Sequence, residues 1–159
     1  MALHQSTGLR TLLLAGHTLE SLFQDAVVHC YSGAQPIDAD RAVSGTLLGS
    51  ITRNGGAFTP GSPTNGLRFI RSGLYVLKDP NHLWRFSGVA TGTLGWFRVC
   101  ANAVDDGLAS AVSVRMDGAI GLADDEGDVQ MRFNALDVSP STVIDIPAFI
   151  YTLPPLPTV

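Results

Sequence analysis

The residues able to do acid–base, nucleophilic or metal chemistry are few and dispersed. The four histidines, His4, His17, His29 and His82, stand singly along the chain, and none falls in a ligand spacing such as His-Glu-x-x-His. No Gly-x-Ser-x-Gly elbow presents a serine nucleophile, and Lys78 follows no glycine-rich loop that would cradle a phosphate. Gly88, Gly92 and Gly95, spaced by four and three, miss the dinucleotide fingerprint and predict a hairpin between two aromatic strands. Asp105 and Asp106 are adjacent, so on a strand they would point to opposite faces rather than flank a glycosidic bond; with Gly107 they predict a loop turn. The acidic run Asp124-Asp125-Glu126-Gly127-Asp128 has enough oxygen for Ca²⁺ but lacks the alternating spacing and closing glutamate of a calcium loop, and it reads as solvated. Trp84, Phe86, Trp96 and Phe97 would stack on a sugar if exposed. Alternation puts Trp84 and Phe86 on one face and separates Trp96 from Phe97, which points to core packing. The expectation is a protein without catalytic residues, cofactor or metal.

The positioning elements follow from composition and period. The 159 residues are 45% hydrophobic and only 15% charged, with a formal net charge of −4. Lys78 is the only lysine, and among the arginines only Arg68 and Arg71 are close together, so no basic patch for nucleic acid is expected. So little charge leaves the surface to Ser, Thr, Asn and Gly, or to contacts with other subunits. Cys30 and Cys100 lie in apolar runs and read as buried thiols, with a disulfide left open. The chain start does not read as a secretory leader, and no run reaches the roughly 18 apolar residues of a membrane span. Synthesis and assembly in a cytoplasm is the expectation.

Residues 1–25 carry Leu9, Leu12, Leu13, Leu19, Leu22 and Phe23 at helical spacing, with Ser6 or Thr7 as first cap, Gly16 as interruption and Thr18 as second cap. This predicts a short N-terminal helical arm that either plugs one end of the core or docks on a neighbouring subunit. Residues 26–153 alternate short apolar runs with turn residues, predicting strands at 26–31, 45–52, 66–70, 73–77, 83–89, 95–101, 111–116, 129–136 and 142–152. Asn54-Gly55-Gly56 and Asn65-Gly66 supply positive φ, and Asp117-Gly118 suits a tight hairpin turn. Pro147 places the last strand at a sheet edge. The predicted fold is one all-β domain, an antiparallel β-sandwich or jelly roll, followed by an extended proline-rich tail at 154–159.

The segment Tyr31-Ser32-Gly33-Ala34-Gln35-Pro36-Ile37-Asp38-Ala39-Asp40, continuing through Gly45-Thr46-Leu47-Leu48 to Gly55-Gly56-Ala57-Phe58-Thr59-Pro60-Gly61-Ser62-Pro63-Thr64-Asn65-Gly66-Leu67, resembles a recurrent family of small virion proteins of tailed phages. Ser6-Thr7-Gly8-Leu9-Arg10, Ala90-Thr91-Gly92-Thr93-Leu94-Gly95-Trp96-Phe97-Arg98, and Asp117-Gly118 followed by Gly121 fit the same pattern, although Leu94 stands where a small residue is expected. The resemblance implies a structural particle component; within that class a capsid decoration or cement protein at the virion surface is the first expectation. Its implied partners are the major capsid protein and copies of itself, as dimers or trimers. No nucleic acid, membrane or small-molecule substrate is expected. The contact elements expected, read from the apolar arm and the extended tail, are Leu9, Leu12, Leu13, Leu19, Leu22 and Phe23 in the arm and Pro154, Pro155, Leu156 and Pro157 in the tail. A tail, baseplate or head–tail connector component is the alternative reading, and a host-glycan-binding module is the second.

Overall fold

A computed structural model describes residues 3–127 and 129–152; Asp128, Pro154, Pro155, Leu156 and Pro157 lie outside the described residues. The chain opens with a two-residue strand, β1 (His4–Gln5), and turns at once into α1 (Thr7–Leu14). Ser6 is the N-cap, its hydroxyl accepting from Leu9 N at 3.1 Å. Gly16, at φ +97°, ends the helix. Thr18 and Ser21 then form a reciprocal capping box on α2 (Leu19–Leu22). Leu9, Leu19 and Phe23 are buried in the protein's own core, while Leu12, Leu13 and Leu22 are half-exposed.

From there the chain is strands: β2 (Val27–Ser32), β3 (Leu47–Arg53), β4 (Phe69–Ser72), β5 (Tyr75–Lys78), β6 (Trp84–Gly88), β7 (Gly92–Cys100), β8 (Arg115–Leu122), β9 (Met131–Phe133), β10 (Asp137–Val138), β11 (Val143–Ile146) and β12 (Ile150–Thr152). They form two sheets. The larger runs β1-β8-β7-β2-β3-β6-β11, with β10 on β7 and β9 on β8, and the smaller runs β12-β5-β4. All pairings are antiparallel except β8 with β9, which is parallel. The fold is thus dominated by two antiparallel sheets with short N-terminal helices.

Alternation gives the larger sheet two unlike faces. The inner face carries Val28, Cys30, Ile51, Trp84, Phe86, Phe97, Val99 and Met116, all buried. Aromatic rings tie the two sheets together: Phe69 of β4 meets Trp84 edge-on at 5.0 Å between centroids, and Phe149, between β11 and β12, meets Phe69, Trp84 and Phe97 at 5.8–6.0 Å. Two inner-face glycines exist to admit rings. A Cβ on Gly118 would sit 2.4 Å from the Phe97 ring, and one on Gly49 would sit 2.4 Å from the Phe86 ring.

Several expectations are corrected. Asp117-Gly118 is no hairpin turn: both lie buried in the middle of β8, because Gly118 is needed under Phe97 and Asp117 has a buried cationic partner. The strand expected at 111–116 accordingly starts at Arg115 and runs to Leu122. The glycines at 88, 92 and 95 do not make a hairpin, since β3 and β2 separate β6 from β7. The chain crosses the end of β3 instead, with Val89 N and Ala90 N both donating to Leu48 O. The run at 142–152 is split by Pro147 into β11 and β12, each the terminal strand of a different sheet, which keeps the expected edge position. Asn54 and Asn65 do take positive φ, at 58° and 60°.

Candidate functional site

The outer face of the larger sheet carries a polar row across its middle, and the register explains how. Reading straight across the strands, His4 pairs with Asp117, Asp117 with Arg98, Arg98 with His29, His29 with Ser50, and Ser50 with Ser87. Six strands thus contribute one transverse polar row. Arg98 comes from the run Trp96-Phe97-Arg98-Val99-Cys100, where alternation turns Phe97 and Val99 inward and leaves Trp96, Arg98 and Cys100 on the other side.

Two loops roof this row. In the loop between β2 and β3, Arg41 O accepts from Arg98 Nη2 at 3.1 Å and Ser44 O accepts from Trp96 Nε1 at 3.3 Å. In the loop between β7 and β8, Asp105 binds Arg115, with Nε donating at 2.7 Å and Nη2 at 2.5 Å. The loops are fastened to each other by Val43 N to Gly107 O and Ser110 N to Asp40 O, both 2.8 Å. Asp40 also accepts from the backbone and hydroxyl of Thr7, tying the roof to the start of α1. Beneath it Arg98 grips Asp117 through Nε and Nη2, both at 2.7 Å, with side-chain exposures of only 1% and 0%. Arg98 also lies over the Trp96 ring, which stacks on Tyr31 at 4.6 Å.

Burial sets the proton affinities. It pushes the Asp117 carboxyl above its ordinary range despite the guanidinium beside it, so the attraction offsets the desolvation incompletely. At Asp105 burial acts the same way but is outweighed by hydrogen bonds from Arg115 and Gly107 N, and this carboxyl is held low. Desolvation pushes the His29 imidazole below its usual value; Asp105 pulls it up and Arg98 pushes it down. His29 is neutral at pH 7, its Nδ1 2.7 Å from Ser50 Oγ. Cys30 and Cys100 are free, and burial pushes both thiols up, so neither is a nucleophile near neutral pH. They face opposite sides of the sheet, since Cys30 is opposite Phe97 and Cys100 opposite Val27, so they cannot bridge.

Between roof and sheet lies a cleft of about 310 Å³ whose lining includes His29, Tyr31, Leu47, Arg98, Asp105 and Asp106. Sequence reading placed Asp105 and Asp106 correctly in a loop turn, where their carboxylates accept from Gly107 N and Leu108 N. It missed Asp105 as an ion-pair partner, and it missed Arg98, Asp117 and Arg115 altogether. The available signal was a lone arginine inside an apolar strand, which demands a buried acceptor. Trp84, Phe86, Trp96 and Phe97 are all wholly buried and offer no exposed platform; alternation accounts for Trp84, Phe86 and Phe97 on the inner face, whereas Trp96 is on the outer face and is covered by the roof. Among the described residues of the acidic run, Asp125 accepts from Leu122 N, and its carbonyl accepts from Arg132. No group of three or more His, Cys, Asp or Glu among the described residues is placed to hold a metal ion, and no described helix is long and apolar enough to cross a membrane. No protein-family model, curated protein or solved structure matches the chain.

Proposed function

We propose that this chain is a structural component of a tailed-phage particle, and first of all a decoration or cement protein that binds the major capsid protein and copies of itself. The observation that carries this reading is a set of large apolar side chains left in solvent by an otherwise well-buried chain. Leu14 at the end of α1 is 91% exposed, and Val104 and Val112 in the roof are 85% and 83% exposed. Side chains of this kind are what a subunit contact would cover. The resemblance of ordered segments to small phage virion proteins supports the particle setting, and we read the two sheets as the layers of an antiparallel sandwich, with Phe69 and Phe149 as the rings between them.

The test uses surface substitutions, because removing the arm would strip Leu9 and Phe23 from the core. The full chain is expected to sediment as a dimer or trimer and to co-sediment with undecorated capsid shells, and Leu14→Ser with Val112→Ser is expected to abolish both without lowering the melting temperature. A monomer that ignores shells overturns the proposal. Copy number in the intact particle separates a capsid lattice, with hundreds of copies, from a tail, baseplate or connector position with a few dozen at most.

A further inference from the structure

The cleft under the roof holds donors that the protein itself does not use. Arg98 spends Nε and Nη2 on Asp117. Those two donors share one edge of a planar guanidinium, so Nη1 lies on the opposite side, away from β8. Nη1 is buried and has no hydrogen-bond partner among the described residues, an arrangement that leaves its lost hydration uncompensated. On that side of β7 stands β2, with His29 directly opposite Arg98 and Tyr31 directly opposite Trp96. No described residue bonds the Tyr31 hydroxyl or His29 Nε2. Arg98, His29 and Tyr31 all line the same cleft.

Charge selects the ligand. Arg98 with Asp117 and Arg115 with Asp105 are internally neutralised pairs. Asp106 remains at the rim with one carboxylate oxygen on Leu108 N and the other uncommitted. An anion would be repelled by Asp106, and a cation would face the idle edge of Arg98. A neutral molecule with hydroxyls suits both, accepting from Arg98 and Tyr31 and donating to Asp106. Val43 and Leu47 supply an apolar wall for its C–H groups. The volume of about 310 Å³ is at the lower end of the roughly 300–1,000 Å³ of small-molecule sites, room for one ring. We propose that this cleft binds a single neutral sugar residue, an activity beyond the structural role and independent of it.

The experiment is NMR on the ¹⁵N-labelled full chain titrated with glucose, galactose and N-acetylglucosamine, and with glucuronate and glucosamine as charged counterparts. At least one neutral sugar is expected to shift amides at 29–31, 98–100 and 105–107 saturably. Tyr31→Phe and Asp106→Asn, which leave both buried ion pairs intact, are each expected to weaken that binding about 5-fold, the loss of one hydrogen bond. The proposal is overturned if no neutral sugar gives a saturable shift, if a charged counterpart binds tighter, or if both variants bind like the parent chain.

Discussion

Arg98 with Asp117 and Arg85 with Asp145 are chemically the same object in two parts of one sheet. Each joins residues directly opposite on neighbouring antiparallel strands, and each uses Nε and Nη2 against both carboxylate oxygens. The first pair lies under the roof with side chains 1% and 0% exposed; the second lies at the β6–β11 edge, at 35% and 54%. Register alone creates both pairs. What covers them decides what they do to the protein. Water screens the edge pair and costs it little, whereas the roofed pair has given up its hydration and depends on its partner to stay charged.

The largest effect expected is from breaking the roofed pair on one side. Asp117→Ala leaves Arg98 buried and uncompensated and should cost about 3–5 kcal/mol in urea unfolding. Replacing both partners, Arg98→Met with Asp117→Leu, should return most of that loss, because an apolar pair needs no solvation. A double variant as unstable as Asp117→Ala would show that the pair's geometry, rather than its mutual neutralisation, holds the roof.

Next in size is the pair that pins the roof. Asp105 is 11% exposed, so Asp105→Asn should cost less, about 1.5–3 kcal/mol for the loss of charge-assisted bonds from Arg115. The same substitution should speed amide exchange across residues 102–114 before it touches the inner face. Uniform acceleration over both faces would mean that the roof does not open independently.

This contrast also shows which parts of the fold were legible in the sequence. The inner face was, because alternating apolar residues in a strand such as Trp84–Gly88 declare a period directly. The cap at Thr18 was as well, and the first cap was narrowed to Ser6 or Thr7, since caps are local interactions. The roofed pair was not, because Arg98 and Asp117 are far apart in sequence and their meeting depends on the β7–β8 register. Asp117-Gly118 misled for a related reason. The dipeptide has turn chemistry, but packing of the Phe97 ring over Gly118 overrides local preference. The crossing from β6 to β7 was hidden similarly, since strand order is a tertiary property and short loops imitate hairpins.

A smaller effect should appear on acidification. The folded-state pKa of His29 lies below the ordinary value of 6.5, chiefly through burial. Between those two values the unfolded chain binds the proton and the folded chain does not, so stability falls as pH drops from about 6.5 toward the lower value. His29→Gln, which can still bond Ser50, should flatten that part of the stability profile. An unchanged slope in the variant would assign the acid sensitivity to another group.

The smallest effect closes the comparison. Neutralising the edge pair with Arg85→Gln or Asp145→Asn should shift the unfolding midpoint least of all, and raising the salt should erase even that shift, because solvent already screens both side chains. Salt should leave the cost of Asp117→Ala nearly unchanged, since ions cannot enter beneath the roof. The two salt responses are the sharper measure, because they compare identical chemistry at equivalent register and differ only in cover. If added salt relieved the Asp117→Ala defect as readily as it erased the edge effect, the roof would be open in solution, and the contrast drawn between the two parts of the sheet would fail.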